Sequence, residues 1–230
     1  GREVWKAKSL GGPKAFVSPV LYEHNDLRQI IAATADHVLG IDPGSGDIMW
    51  TYEQFPEDQS ARRRATIKTN SPVYRGDEVF MARGYDQITF KIRIAPDGRS
   101  VEPLWSGHDM DTHHGGYVLI GNYLYGSNWE SNSKGKWVCL NWDTGAPTYE
   151  EDWVTKGSVI TADGMLYCYE ERSGHLALVR PTPEQFDIVS TVRIERGAGP
   201  HWAHPFIADG HLLVRHGDVL YVFDIRKESG

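Results

Sequence analysis

Apolar and polar residues alternate along this chain in short runs, each closed by glycine, proline, asparagine or aspartate. That two-residue period is the period of a half-buried strand, and almost no segment shows the 3.6-residue spacing of a helix. The runs recur as a unit. One unit begins at Phe16-Val17-Ser18-Pro19-Val20-Leu21-Tyr22 and the next at Asn70-Ser71-Pro72-Val73-Tyr74. Later ones begin at Gly115-Gly116-Tyr117-Val118-Leu119-Ile120, Gly157-Ser158-Val159-Ile160 and Ala203-His204-Pro205-Phe206-Ile207, a spacing of about 40 to 55 residues.

Each start is followed by a turn and a second strand: Arg75-Gly76-Asp77 before Glu78 to Arg83, Ala162-Asp163-Gly164 before Met165 to Glu170, Ala208-Asp209-Gly210 before His211 to Arg215. Third strands are predicted at His37 to Asp42, Gln87 to Ile94, Lys136 to Trp142, His175 to Arg180 and Val219 to Ile225. Two of them run into an Asp-to-Gly turn, Asp42-Pro43-Gly44-Ser45-Gly46 and a shorter Asp143-Thr144-Gly145. A fourth strand carries an aromatic ring near its end: Trp50, Trp105, and Tyr149 or Trp153.

A lone four-stranded sheet leaves both faces unburied and gains stability by stacking on like sheets. The pattern therefore predicts an all-β chain of β-propeller blades, about five blades' worth. The predicted blades are 15–53, 66–106, 114–153 and 156–194, with an incomplete last blade at 203–226. Gly1-Arg2-Glu3-Val4-Trp5 matches Gly46-Asp47-Ile48-Met49-Trp50, so residues 1–8 read as a lone outer strand. Two arrangements accommodate these ends. Either Gly1 to Lys8 closes the last blade, or the chain is the C-terminal part of a longer ring; five such blades alone would make an unusually tight one. Trp5, Trp50 and Trp105 read as packing residues between blades.

Composition narrows the partners. The net charge is −7, and the one basic cluster, Arg62-Arg63-Arg64, follows the acidic Glu57-Asp58, so nucleic acid is not expected. No apolar run approaches the roughly 20 residues of a transmembrane helix, and no export signal is present in the sequence given. Cys139 and Cys168 each sit in an apolar alternating segment, where a buried free thiol is the simpler reading and a disulfide the alternative. There is no P-loop, nucleophile elbow, zincin motif or dinucleotide fingerprint.

The stretch Val38-Leu39-Gly40-Ile41-Asp42-Pro43-Gly44-Ser45-Gly46-Asp47-Ile48-Met49-Trp50 resembles the tryptophan-docking repeat of the PQQ-binding-like, or quinoprotein alcohol dehydrogenase-like, β-propeller family. His113-His114-Gly115-Gly116-Tyr117, Lys136-Trp137-Val138-Cys139-Leu140 and Met165-Leu166-Tyr167-Cys168-Tyr169-Glu170 resemble its exported bacterial members. The resemblance implies an eight-bladed ring, of which this chain is the C-terminal part, and a periplasmic or secreted location. It also implies one of two functions. Dehydrogenase members hold pyrroloquinoline quinone (PQQ) with calcium and carry a disulfide between adjacent cysteines. Others, among them the outer-membrane β-barrel assembly lipoprotein, bind no cofactor and act as scaffolds. This chain has no adjacent cysteines and no Glu, Asn and Asp set that aligns with the calcium ligands. The expectation is a scaffold that binds a protein partner or a small molecule and self-associates if its ring is incomplete. A PQQ-dependent oxidoreductase with a site split between this chain and further blades is the alternative.

In a propeller, the loops leading into the innermost strands face the central channel, and long irregular loops on a rigid frame are where function concentrates. Here they are Gln54 to Thr69, Ser106 to His114, Asp152 to Lys156 and Glu195 to Trp202. Of ten histidines, His108, His113, His114, His201 and His204 lie in or directly after two of these loops. Neighbouring imidazoles bind transition metals or exchange protons near neutral pH, so His113, His114, His201 and His204 are metal candidates and a metal-dependent activity is a further alternative. Asp109 and Asp111 lie nearby as further ligands or orienting groups. Against convergence, one blade separates the two loops, and consecutive histidines on an extended chain point to opposite sides. Lys68, Asn70, Lys156 and Trp202 complete the predicted channel face. The lysines would attract an anionic ligand, although solvated surface lysines are the commoner outcome. The loop Glu130 to Gly135 beside Trp129 reads as a plain turn.

Overall fold

The structure is a computed structural model that describes residues 1–53, 68–85 and 88–226. Most of the predicted loop Gln54 to Thr69, with Glu57-Asp58 and Arg62-Arg63-Arg64, lies outside the described residues, as does Gln87. All regular structure among the described residues is β. The chain divides into two compact units, Gly1–Asp111 and Thr112–Gly230.

The first unit holds two four-stranded antiparallel sheets. One runs β1 (Val20–His24), β2 (Leu27–Ala33), β3 (His37–Ile41) and β4 (Ile48–Glu53). The other runs β5 (Val73–Arg75), β6 (Glu78–Ala82), β7 (Thr89–Ile94) and β8 (Val101–Gly107). The second unit holds β9 (Tyr117–Ile120), β10 (Tyr123–Ser127), β11 (Trp137–Asn141) and β12 (Pro147–Glu151), then β13 (Gly157–Ala162), β14 (Met165–Glu170), β15 (His175–Arg180) and β16 (Asp187–Arg193). Its third sheet has three strands, β17 (Phe206–Ala208), β18 (His211–His216) and β19 (Val219–Asp224). These are the blades of a partial β-propeller.

Local chemistry explains the meander. At Asp163-Gly164 and Asp209-Gly210 both residues have positive φ (51° and 71°, 50° and 73°), the two-residue turn whose twist matches its flanking strands. The turn between third and fourth strands is a side-chain device. Asp42 Oδ1 accepts from the Gly44 and Ser45 amides at 2.8 and 2.7 Å, and Gly46 N donates to Asp42 O at 2.9 Å. In the third sheet Asn141, not Asp143, does this work: its Oδ1 accepts from Asp143 N and Thr144 N at 3.0 Å each, and Gly145 N donates to Asn141 O at 2.8 Å. The expected shorter turn is thus the same five-residue turn, because either side chain offers the oxygen it needs. Each complete sheet also has a register shift between its third and fourth strands, at Gly40/Ile41, Lys91/Ile92, Cys139/Leu140 and Leu178/Val179. Such bulges sharpen the twist of the outer pair.

Blade faces pack on one another within each unit. In the first, Tyr22, Ile31, Val38, Trp50, Met81, Phe90 and Ile92 form one buried cluster. The Trp50 ring lies flat on Gly40, where a Cβ would meet its Nε1 at 2.2 Å, and Nε1 donates to Gln29 Oε1 at 2.8 Å. Gln29 Nε2 donates onward to Gly98 O at 2.7 Å, tying one blade to the turn of the next. In the second unit Trp137, Cys139, Tyr149, Cys168, Val179 and Phe186 form the core between the first two sheets. Both cysteines there are buried and free, and burial pushes the Cys139 thiol up to about 11. A second cluster, including Tyr169, Leu176, Leu212 and Val214, joins the last two sheets.

The outer strand expected at Gly1 to Lys8 is not formed; residues 1–19 carry no ladder. Such a strand exists only by pairing with a third strand, and within its own unit β3 and β7 are already paired on both sides. Its tryptophan still packs: Trp5 sits on Gly46 and donates from Nε1 to Pro43 O at 2.9 Å. Among the described residues β19 pairs with β18 alone. Leu220 and Val222 are 57% and 55% exposed, and an apolar groove of about 370 Å³ runs past Leu176, Leu178, Val192, Leu212 and Phe223.

Candidate functional site

In the second unit the loops ahead of β9, β13 and β17 meet the turn between β14 and β15. The His113-His114-Gly115 segment is a bend, not an extended strand, so the two rings lie side by side with centroids 4.4 Å apart. The expectation that they point to opposite sides fails for that reason. Two glycines make the bend possible. Gly115 passes so close to β13 that a Cβ would stand 1.9 Å from Gly157 O, and Gly116 has φ +71°. Val159 N donates to Gly115 O at 3.1 Å and fixes the loop to the next blade.

Both imidazoles face Glu171. His113 Nδ1 is 3.6 Å and His114 Nε2 3.4 Å from Glu171 Oε2, with all three side chains largely shielded from solvent. Glu171 belongs to the turn Glu170-Glu171-Arg172-Ser173-Gly174. Glu170 clamps that turn by accepting from Arg172 N at 2.6 Å and Ser173 N at 2.8 Å, and Glu171 turns inward. Its other oxygen, Oε1, pairs with Lys156 Nζ, which also donates to Asn132 O at 3.0 Å. Lys156 is 0% exposed. The expected solvated lysine is instead a buried cation that the carboxylate and the Asn132 carbonyl together compensate. The Glu130 to Gly135 turn is consequently part of the site.

The charge states follow from this packing. Burial, and then the neighbouring His113, hold His114 down to about 4, so it is neutral at pH 7. Burial alone raises the Glu171 carboxyl, but His113, Lys156 and His114 more than reverse this, and it titrates below the usual carboxylate range. The cluster is thus a neutral imidazole and an ionised carboxylate beside a lysine.

The loop ahead of β17 closes the site. His204 Nε2 lies 2.7 Å from His114 O, and the Trp202 ring stands edge-on to His114 and His113, with centroids 5.2 and 6.4 Å away. The two loops therefore touch across the intervening blade, but through a His204 ring nitrogen and the His114 main-chain carbonyl, not ring to ring. Trp202 is 53% exposed. His201 joins a different group: Nδ1 faces the Tyr169 hydroxyl, and the ring stacks on His216 at 3.6 Å. Burial and His216 lower its pKa.

The remaining predicted residues lie in the first unit. His108 is exposed just after β8. Lys68 and Asn70, ahead of β5, are each 2% exposed, so Lys68 also departs from the solvated-lysine expectation. Burial, and then the Arg83 charge, push the Lys68 ammonium down to about 7. Sequence reasoning missed Glu171 and Arg83. Glu171 had no local mark, since a glutamate in a Glu-Glu-Arg-Ser-Gly turn looks solvated until a lysine and two histidines from other loops are placed beside it.

The chain matches over residues 1–151 the family model described as outer membrane protein assembly factor BamB. No curated protein sequence matches it. Among solved structures it resembles BamB from Moraxella catarrhalis at 14% identity and TM-score 0.56, covering 89% of this chain and 56% of that one. It also resembles the quinohemoprotein alcohol dehydrogenase ADHIIG from Pseudomonas putida HK5, at 13% identity and TM-score 0.71, covering 96% of this chain and 42% of that one. A europium-containing methanol dehydrogenase matches at 12% identity and TM-score 0.68, covering 90% and 50%. At these identities the likeness is one of fold, and the chain spans about half the length of these structures. No helix among the described residues is long and apolar enough to cross a membrane.

Proposed function

The chain belongs to the PQQ-like β-propeller family of the outer membrane protein assembly factor BamB, and from that premise we propose that it is a non-catalytic scaffold of the bacterial envelope. Its binding surface is the rim formed by His113, His114, Trp202 and His204. The observation that carries this reading is Trp202, a half-exposed indole braced edge-on against the buried His113 and partly buried His114 imidazoles where loops of three blades meet. An aromatic ring of fixed orientation within a polar surround is the usual anchor of a protein interface, because it brings large contact area at small entropic cost.

The His113, His114 and Glu171 cluster does not suit the calcium that accompanies PQQ. Calcium takes six to eight oxygen ligands, whereas the grouping of ligand-type side chains found among the described residues offers two imidazole nitrogens and one carboxylate already bound to a lysine. Both cysteines are single, buried in the inter-blade core, and separated in sequence.

The test uses the full-length protein in its host. A photo-crosslinking residue at Trp202 is expected to trap a discrete protein adduct that the same residue at the exposed Val154 does not. Purified protein given PQQ and Ca²⁺ is expected to show no bound quinone absorbance and no dye-linked alcohol oxidation. Bound quinone with turnover overturns the reading, and so does an equal adduct pattern at both positions.

A further inference from the structure

We propose that His113, His114 and Glu171 form a site for one divalent transition ion of the zinc class. The proposal goes beyond the scaffold reading and holds whatever the rim binds.

The spacing is the first argument. The three donor atoms lie within 4.8 Å of one another, and Glu171 Oε2 stands 3.6 and 3.4 Å from the two imidazole nitrogens. Hydrogen bonds between nitrogen and oxygen run at about 2.7–3.2 Å. Ligands about 2.0–2.1 Å from a shared tetrahedral ion stand roughly 3.3 Å apart. The measured separations match the second geometry better than the first. His114 Nε2 is moreover buried without a hydrogen-bond partner.

The donor set is the second argument. Two imidazoles and one carboxylate suit zinc, cobalt or nickel and not a hard cation. Three protein ligands leave a position for water or a partner's side chain. The carboxylate divides its work: Oε1 takes the Lys156 ammonium and Oε2 faces the imidazoles, so the lysine orients the carboxylate without occupying the ligand oxygen. His204, 2.7 Å from His114 O, and Gly115, seated on Gly157, hold the loop in place. Support of this kind around the ligands is what fixes metal sites.

The experiment is titration of the metal-stripped full chain with ZnCl₂ by calorimetry, and with CoCl₂ by visible absorption. One equivalent of Zn²⁺ per chain is expected, with the strong visible bands of four-coordinate Co²⁺. His114→Ala is expected to weaken binding by at least ~100-fold and to abolish those bands. His211→Ala, a histidine of β18 outside the site, is expected to change neither. The proposal is overturned if the wild-type chain binds no Zn²⁺ stoichiometrically, or if folded His114→Ala retains wild-type affinity. If His114→Ala does not fold, the wild-type Co²⁺ spectrum decides: weak octahedral bands overturn the site, and intense four-coordinate bands uphold it.

Discussion

Gly115 and Gly157 touch backbone to backbone: a Cβ added to Gly115 would lie 1.9 Å from the Gly157 carbonyl oxygen and 2.6 Å from its carbon. The atoms it would strike are main chain and cannot rotate away. Gly115→Ala is therefore expected to separate the His113-His114 loop from β13 and to destabilise the second unit by about 2–4 kcal/mol, as overpacking does. Urea unfolding followed through tryptophan fluorescence checks this.

Lys156 and Glu171 are buried partners, and removing one strands the other. Lys156→Met is expected to cost about 3–5 kcal/mol, the cost of an uncompensated buried charge. The double variant Lys156→Met/Glu171→Leu is expected to recover most of that loss. A thermal unfolding cycle of the four proteins reads the coupling.

Lys68 links stability to pH. Its ammonium titrates at about 7 in the fold, against about 10.4 in an unfolded chain. Between those values the unfolded chain holds more protons, so stability rises with pH, and the penalty is complete below about 7. Lys68→Met is expected to be more stable than wild type by a few kcal/mol at about pH 6, with the advantage shrinking toward zero near pH 10. Urea midpoints across that range measure the difference; an advantage independent of pH would mean that packing, not charge, sets it.

Trp50, Gln29 and Gly98 form a relay of two short hydrogen bonds. Trp50→Phe leaves the Gln29 acceptor buried and unsatisfied, and is expected to cost about 2–4 kcal/mol from that and from lost indole contacts. In a Gln29→Leu background the same substitution is expected to cost less, because no orphaned acceptor is left behind. Chemical denaturation of the four proteins checks it.

The fold was legible because each strand and turn is written locally. Asp163-Gly164 forces a tight turn whatever surrounds it, and alternation assigns each strand its inner face. The site was legible only in part. His113, His114, Lys156, Trp202 and His204 were marked by their loops, and the structure brings them together; His108, Lys68 and Asn70 belong to the other unit, and His201 turns to Tyr169 and His216. What was misjudged depends on contacts between segments remote in sequence. An extended chain would splay the two histidines, and only the approach of Gly115 to β13 bends them inward. Burial of Lys156 likewise depends on Glu171, from a turn that reads as solvated. Residues 1–8 match β4 in sequence but carry no strand in the structure, where the third strands of their own unit, β3 and β7, are already paired on both sides.

The contact between His204 and the His114 carbonyl joins the first and third sheets of the second unit across the one between them. A stack of repeats that touches only nearest neighbours opens one member at a time, like a zipper drawn from its end. A tie that skips a member forbids this sequence of events. Neither outer sheet can peel away without surrendering a bond to the far one, so under an applied pull these three blades are built to yield as a single block.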